Sequence, residues 1–121
     1  VDYDLIPKSF EYGQLFESFI INELHRRLTY QGKQFKLSYL RVNEDLEIDL
    51  IIERGRLAPT LVEIKSTNKV DERHAKGLLI LGADFKSPKQ YLISNDPDTK
   101  RFSNVLACPW AEAIQQILSD T

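Results

Sequence analysis

Residues 47–65, EIDLIIERGRLAPTLVEIK, form two apolar runs around a turn punctuated by Gly55 and Pro59. Side chains alternate between the two faces of a β-strand. In the first run Leu46, Ile48, Leu50 and Ile52 then share one face and Glu47 and Asp49 the other. In the second, Leu61, Glu63 and Lys65 lie opposite Val62 and Ile64. A strand flanked by helices should be apolar on both sides, and a charge there is costly unless it is paired or bound to a metal. Asp49, Glu63 and Lys65 therefore ask for a reason beyond the fold.

Upstream, Tyr12, Leu15, Phe16, Phe19, Ile20, Leu24 and Leu28 recur at three- and four-residue spacing, which predicts a helix over 11–30 that stops before Gly32. Residues 1–10 have no clear period and include Pro7, so they read as a linker or edge segment, leaving 11–121 as the domain. Strand-like runs at 35–42, 46–53 and 60–66 are separated by NED and by RGRLAP, short enough for an antiparallel meander. A helix over 71–82 then leads to QYLISN at 90–95. The third run, this helix and the fourth run make a βαβ crossover, with parallel strands and a right-handed connection. DPDTKRF at 96–102 reads as a polar turn segment and NVLA at 104–107 as a short edge strand. Pro109 opens a last helix, whose stripe of Trp110, Ala113, Ile114, Ile117 and Leu118 should dock on the sheet. The expected architecture is α/β, a mixed central sheet flanked by helices.

Composition narrows the function classes. A chain of 121 residues is the size of one domain that buries its own core, and 42% hydrophobic with 28% charged residues is ordinary for a globular protein. The lone Cys108 leaves no internal disulfide, fits a reducing, cytoplasmic compartment and is most simply a packing residue. No apolar run approaches the ~20 residues of a membrane span, and no signal-peptide pattern opens the chain. Methionine is absent even at position 1, so the sequence reads as a domain excised from a longer chain. A net charge of -2 gives no global attraction to nucleic acid, and any such contact must be local. His25 and His74 lack the spaced partners of a zinc site and read as surface residues.

If the two strands of residues 47–65 are neighbours, Asp49 and Glu63 converge. Hard divalent cations such as Mg²⁺ or Mn²⁺ take oxygen ligands, and one or two carboxylates with a backbone carbonyl, here that of Ile64, suit them. Lys65 projects with Glu63, where its ammonium would orient a water or offset charge developing on a phosphate. Glu17, on the flank of the first helix's apolar stripe at ~100° per residue, is a fourth candidate. This set suits metal-assisted hydrolysis of a phosphodiester.

A glutamate in the first helix, then EID, then EIK, then a helix and a strand, resembles the PD-(D/E)XK nuclease superfamily. Within it, YGQLFESFIINEL, EIDLIIERG, LVEIKSTNKVDERHAKGL and QYLISNDP resemble the nuclease-like domain found C-terminal to an AAA-type ATPase module in many prokaryotic proteins of unknown function. The similarity spans roughly 10 to 110. It implies a restriction-endonuclease-like αβββαβ core, a Mg²⁺-dependent site acting on DNA, and an ATPase partner in the same chain. Asp49 and Glu63 match the acidic ligands, Lys65 the lysine and Glu17 the helix glutamate. Ile48 stands where the superfamily name has proline, a mild change. DERHAKGLLILG lacks the glutamine and tyrosine pair of recombination-type members, so their substrate handling does not carry over.

Plainer readings stand beside these. Glu63 and Lys65 can be a same-face ion pair in a polar patch with Asp49, and Glu17 an exposed carboxylate. Glu47 shares the face of Asp49, but its place at a strand start reads as exposed. Ser66, Thr67 and Lys69 fit either a phosphate contact or a polar turn. Lys69, Arg73 and Lys76, with helix-like spacing, are either a DNA-facing stripe or the solvated side of a helix. The sheet edges leave room for a homodimer. The alternative function is a non-catalytic module that binds nucleic acid or protein and regulates its ATPase.

Overall fold

The fold is taken from a computed structural model that describes residues 10–120. The segment read as a linker lies outside these residues except for Phe10, which opens the first helix, and Thr121 lies outside as well. Helix α1 (Phe10–Tyr30) leads into β1 (Lys36–Asn43), β2 (Leu46–Glu53) and β3 (Thr60–Ile64). A 3₁₀ turn at Glu72–Ala75 runs into the short α2 (Lys76–Leu81), followed by β4 (Lys89–Ser94), β5 (Lys100–Phe102), β6 (Val105–Pro109) and α3 (Trp110–Ser119).

The six strands form one sheet in the order β1-β2-β3-β4-β6-β5. Pairs β1–β2, β2–β3 and β5–β6 are antiparallel, whereas β3–β4 and β4–β6 are parallel; the helical crossover joins β3 to β4, and β4 reaches β6 by way of β5. One face packs under α1 and α3, where Phe16, Ile20, Leu24 and Leu28 meet Val62, Ile64, Ile93, Ile114 and Ile117. The other packs under α2 and its flanking turns, with Leu78 and Leu81 against Ile48, Leu61 and Leu92. With both faces covered, β3 and β4 are buried almost throughout.

Local chemistry sets the connections. Asn43 Oδ1 accepts from the amides of Asp45 and Leu46 at 2.8 and 3.0 Å, closing the NED turn. Gly32 follows α1 with a φ of +75°, a left-handed conformation that glycine adopts freely. Asp71 caps the 3₁₀ turn through the Arg73 amide while the His74 ring accepts from the Asp71 amide, a reciprocal cap. Cys108 is buried among apolar neighbours, and that burial pushes its thiol up to about 12, in keeping with a packing role.

Four expectations are corrected. Leu15 and Phe19 are exposed, at 55% and 44%, because the sheet takes only the row of Phe16, Ile20, Leu24 and Leu28; Phe19 instead meets Trp110 edge-on at 5.1 Å. The NVLA strand is interior, since β5, hidden inside the segment read as a turn, pairs on its outer side. Helix 71–82 is broken into a 3₁₀ turn and six α-helical residues. The strict alternation of β2 also fails: Ile48 and Ile51 face α2 while Leu50 and Ile52 face α1 and α3. The pairing shows why, since Ser38 and Leu40 of β1 oppose Ile51 and Ile48 of β2. Two residues, Asp49 and Leu50, thus stand opposite Tyr39 alone, a β-bulge that switches the faces.

The loop after β4 is tied by one buried carboxylate. Asp96 accepts from the amides of Val70 and Asp98 and from Lys100 Nζ, at 2.8, 2.9 and 2.7 Å. The Lys100 ammonium first, and the two amides with it, lower its pKa from 3.8 to about 2. The unfolded chain takes up its proton at the higher value, so this stabilisation is complete above about 4 and is lost as pH falls through about 2. Thermal melts between pH 5 and pH 2 should show that loss, and Asp96→Asn should flatten the slope.

Candidate metal site at the fork of two strands

Leu50, Ile51 and Ile52 pair with Val62, Leu61 and Thr60, and the β2–β3 ladder ends there. One step on, the Ile64 amide donates to Asp49 Oδ2 at 2.8 Å. A side chain has taken over from a backbone carbonyl, because the bulge turns Asp49 away from either sheet face. Beside it Glu63, on the face of Leu61, is 3% exposed. Glu47, Asp49 and Glu63 each offer a carboxylate oxygen within 4.8 Å of the others.

The electrostatics of this group are unfavourable. Burial first, then the hydrogen bond and charge of Asp49, hold the Glu63 carboxyl far above the usual range; Lys65 pulls it down only in part and Glu47 adds to the rise. Among the described residues Glu63 Oε1, which is buried, finds no hydrogen-bond partner. Glu17, half-buried on α1, is raised by its own burial and then by the charges of Asp49 and Glu47, with Lys65 opposing. From α1 it thus feels the charge of the cluster, although it stands outside the 4.8 Å group.

Lys65 is half-buried, and its amide continues the pairing with β4 by donating to Ile93 O at 2.9 Å. Among the described residues it forms no ion pair, so the plainer alternative of a Glu63–Lys65 pair is not what holds the site. The Ile64 amide ties this residue to Asp49. Ser66 approaches α1, where a Cβ on Gly13 would meet its Oγ at 3.4 Å.

Lys69, Arg73 and Lys76 are exposed but do not line one helix. Lys69 precedes the Asp71 cap, and Arg73 is held by both Asp71 oxygens at 3.0 to 3.2 Å. The residue that the sequence reading set aside is Glu47. Its same-face spacing with Asp49 was the available signal, and α2 closing over the strand start is what half-buries it.

Three carboxylates, one with an unpartnered buried oxygen, fit a hard divalent cation better than they fit one another. The fit depends on Gly77 of α2, where a Cβ would lie 2.5 Å from Glu47 O and 3.5 Å from Glu63 Oε2. Gly77→Ala should push α2 off β2, costing about 1–3 kcal/mol of stability. Denaturant melts would measure that cost, and crystals of the variant should show Glu47 displaced.

Neither a curated protein nor a solved structure gives a significant match to this chain. A domain family described as a domain of unknown function, DUF4143, matches residues 12–113, a span that holds every candidate residue from Glu17 to Lys76, and the chain belongs to that family.

Proposed function

We propose that this domain is a Mg²⁺- or Mn²⁺-dependent nuclease that hydrolyses phosphodiester bonds of DNA, with Lys65, Asp49 and Glu63 as its catalytic set. The observation that carries the reading is the convergence of Glu47, Asp49 and Glu63 at the fork of β2 and β3, with a buried carboxylate oxygen left unpartnered. Asp49 and Glu63 would hold the cation, with Glu47, the Ile64 carbonyl and Glu17 completing its surroundings. A cation held there supplies a lowered water pKa and an offset for phosphate charge. Lys65, free of an ion pair, presents its ammonium to the water or to negative charge developing on the phosphate. The resemblance to PD-(D/E)XK nucleases supports this assignment, and it suggests an AAA-type ATPase as the neighbouring module.

A second reading, a non-catalytic module that regulates an ATPase, draws support from the net charge of -2 and from Arg73, whose charge is already met by Asp71. Cleavage decides between them. With Mg²⁺ or Mn²⁺ the domain should cut labelled linear, single-stranded or branched DNA, and Asp49→Asn and Lys65→Ala should each slow it by about a hundredfold or more. A folded wild-type domain that cuts none of these leaves the regulatory reading.

Metal binding is also readable without turnover. In the metal-free fold Glu63 keeps its proton well above 4.5, whereas the unfolded chain releases it near that value. Rising pH above about 4.5 therefore favours unfolding, and Glu63→Gln should gain stability relative to the wild type as pH increases. Mn²⁺ should reverse the trend in the wild type, adding about 2.7 kcal/mol at a hundredfold excess over Kd. Thermal melts at pH 5.5 and pH 8, with and without the ion, measure both effects.

A further inference from the structure

Arg54 directly follows β2 and is only 9% exposed. Its guanidinium donates to Ile117 O at 2.9 Å and to Thr60 Oγ1 at 3.2 Å, both uncharged acceptors, while Nε is buried without a partner. Among the described residues no carboxylate forms an ion pair with it. The closing end of α3 offsets part of this charge through its carbonyls. A buried arginine normally has a full counter-ion as well.

Arg54 also lines a hollow of about 430 Å³, together with Lys33, Arg56, Leu57 and Asp120. A second hollow of about 270 Å³ shares Arg54, Leu57 and Asp120 and adds Lys89. Among the described residues, four cations thus surround the two hollows against one acid. That acid accepts from the Tyr91 hydroxyl at 2.8 Å and stands 3.8 Å from Lys89 Nζ, which leaves Lys33, Arg54 and Arg56 without a carboxylate partner among the described residues. In the larger hollow the wall between the charges is mostly apolar, formed by Leu57 and the stems of the long side chains, with Gln31 and Gln34 adding amides.

We propose that the hollow bounded by Lys33, Arg54 and Arg56 is a binding site for a phosphate monoester carried on an apolar body, separate from the carboxylate cluster. Arginine forks and a lysine suit the doubly charged oxyanion, and Leu57 suits the body. Asp49 lies five residues before Arg54, about 16 Å away along the strand, so an occupant here does not touch the carboxylates. The proposal stands whether or not the domain is a nuclease.

The test is titration of the ¹⁵N-labelled domain in EDTA, at constant ionic strength, with phenyl phosphate and with inorganic phosphate. Two further arms use a short DNA strand with a 5′-phosphate and its 5′-hydroxyl twin. Phenyl phosphate should saturate, bind more tightly than inorganic phosphate, and shift the amides around Gly55 and Leu57. Lys33 and Arg56 are exposed, so Lys33→Ala and Arg56→Ala should fold normally and each weaken binding by about tenfold, while Asp49→Asn leaves it unchanged. Preference for the phosphorylated strand over its twin, lost in Arg56→Ala, would assign the site to DNA ends; saturation by phenyl phosphate alone would assign it to a small ligand. Equal affinity in the wild type and both basic variants, or shifts scattered over the surface lysines, would overturn the proposal.

Discussion

The hydrogen bond from the Ile64 amide to the Asp49 carboxylate is the contact on which the candidate site depends. A regular antiparallel ladder would give that amide a carbonyl of β2 and would aim Asp49 at one sheet face. The extra residue in β2 breaks both conditions at once. It ends the ladder after Leu50, opens a fork between the strands, and turns a carboxylate into the gap, where it caps the exposed amide. Because the bulge also reverses the facing of the residues after it, Leu50 and Ile52 reach the α1–α3 core while Ile48 stays under α2. Both halves of the hydrophobic core and the polar fork thus follow from one inserted residue.

Placing Glu63 beside Asp49 is energetically adverse, and the surroundings show how the fold tolerates it. Leu61, Val62 and Ile64 are buried with it, so β3 is fixed by apolar packing whatever Glu63 does. Burial, with the Asp49 carboxylate beside it, favours the neutral form of the Glu63 carboxyl. One Glu63 oxygen still lacks a partner. Native folds seldom leave a buried polar atom in that state, and a bound ion is one of the few things that explains it. Replacing the cluster by apolar residues of like size would serve stability better, so folding alone gives no reason for it.

Much of this was legible in the sequence, and the parts that were not share a cause. Long periodic segments such as α1, and runs of β-branched residues such as β2 and β3, carry their pattern over enough residues to be read. Asp49, Glu63 and Lys65 stood out because charges interrupt those runs. The bulge did not stand out, since EIDLII alternates as smoothly with an extra residue as without one; only the partner strand reveals the count. Strand β5 is three residues long, too short for a period, and its KRF is indistinguishable from a polar turn until β6 pairs with it. Glu47 was set aside for its position at a strand start, yet α2 approaches there through Gly77, a contact made by residues thirty apart in the chain. Leu15 and Phe19 fit the helical period equally well but lie one row outside the sheet's reach.

A net charge of -2 conceals how the charges are distributed along β2. Its first half carries Glu47 and Asp49, joined by Glu63 and faced by Glu17, whereas its exit carries the exposed Glu53 and then Arg54 and Arg56, near Lys33 and Lys89. The strand interior between them is apolar and fully covered, so neither group can neutralise the other across roughly 16 Å. Each end must find its own compensation. At the exit, the terminal carbonyls of α3 and the Asp120 carboxylate provide part of it; at the fork, Lys65 provides part of it without forming a pair. The residual charge has opposite sign at the two ends, so the proposed cation and anion sites would not compete, and the sheet would hold them at a fixed separation.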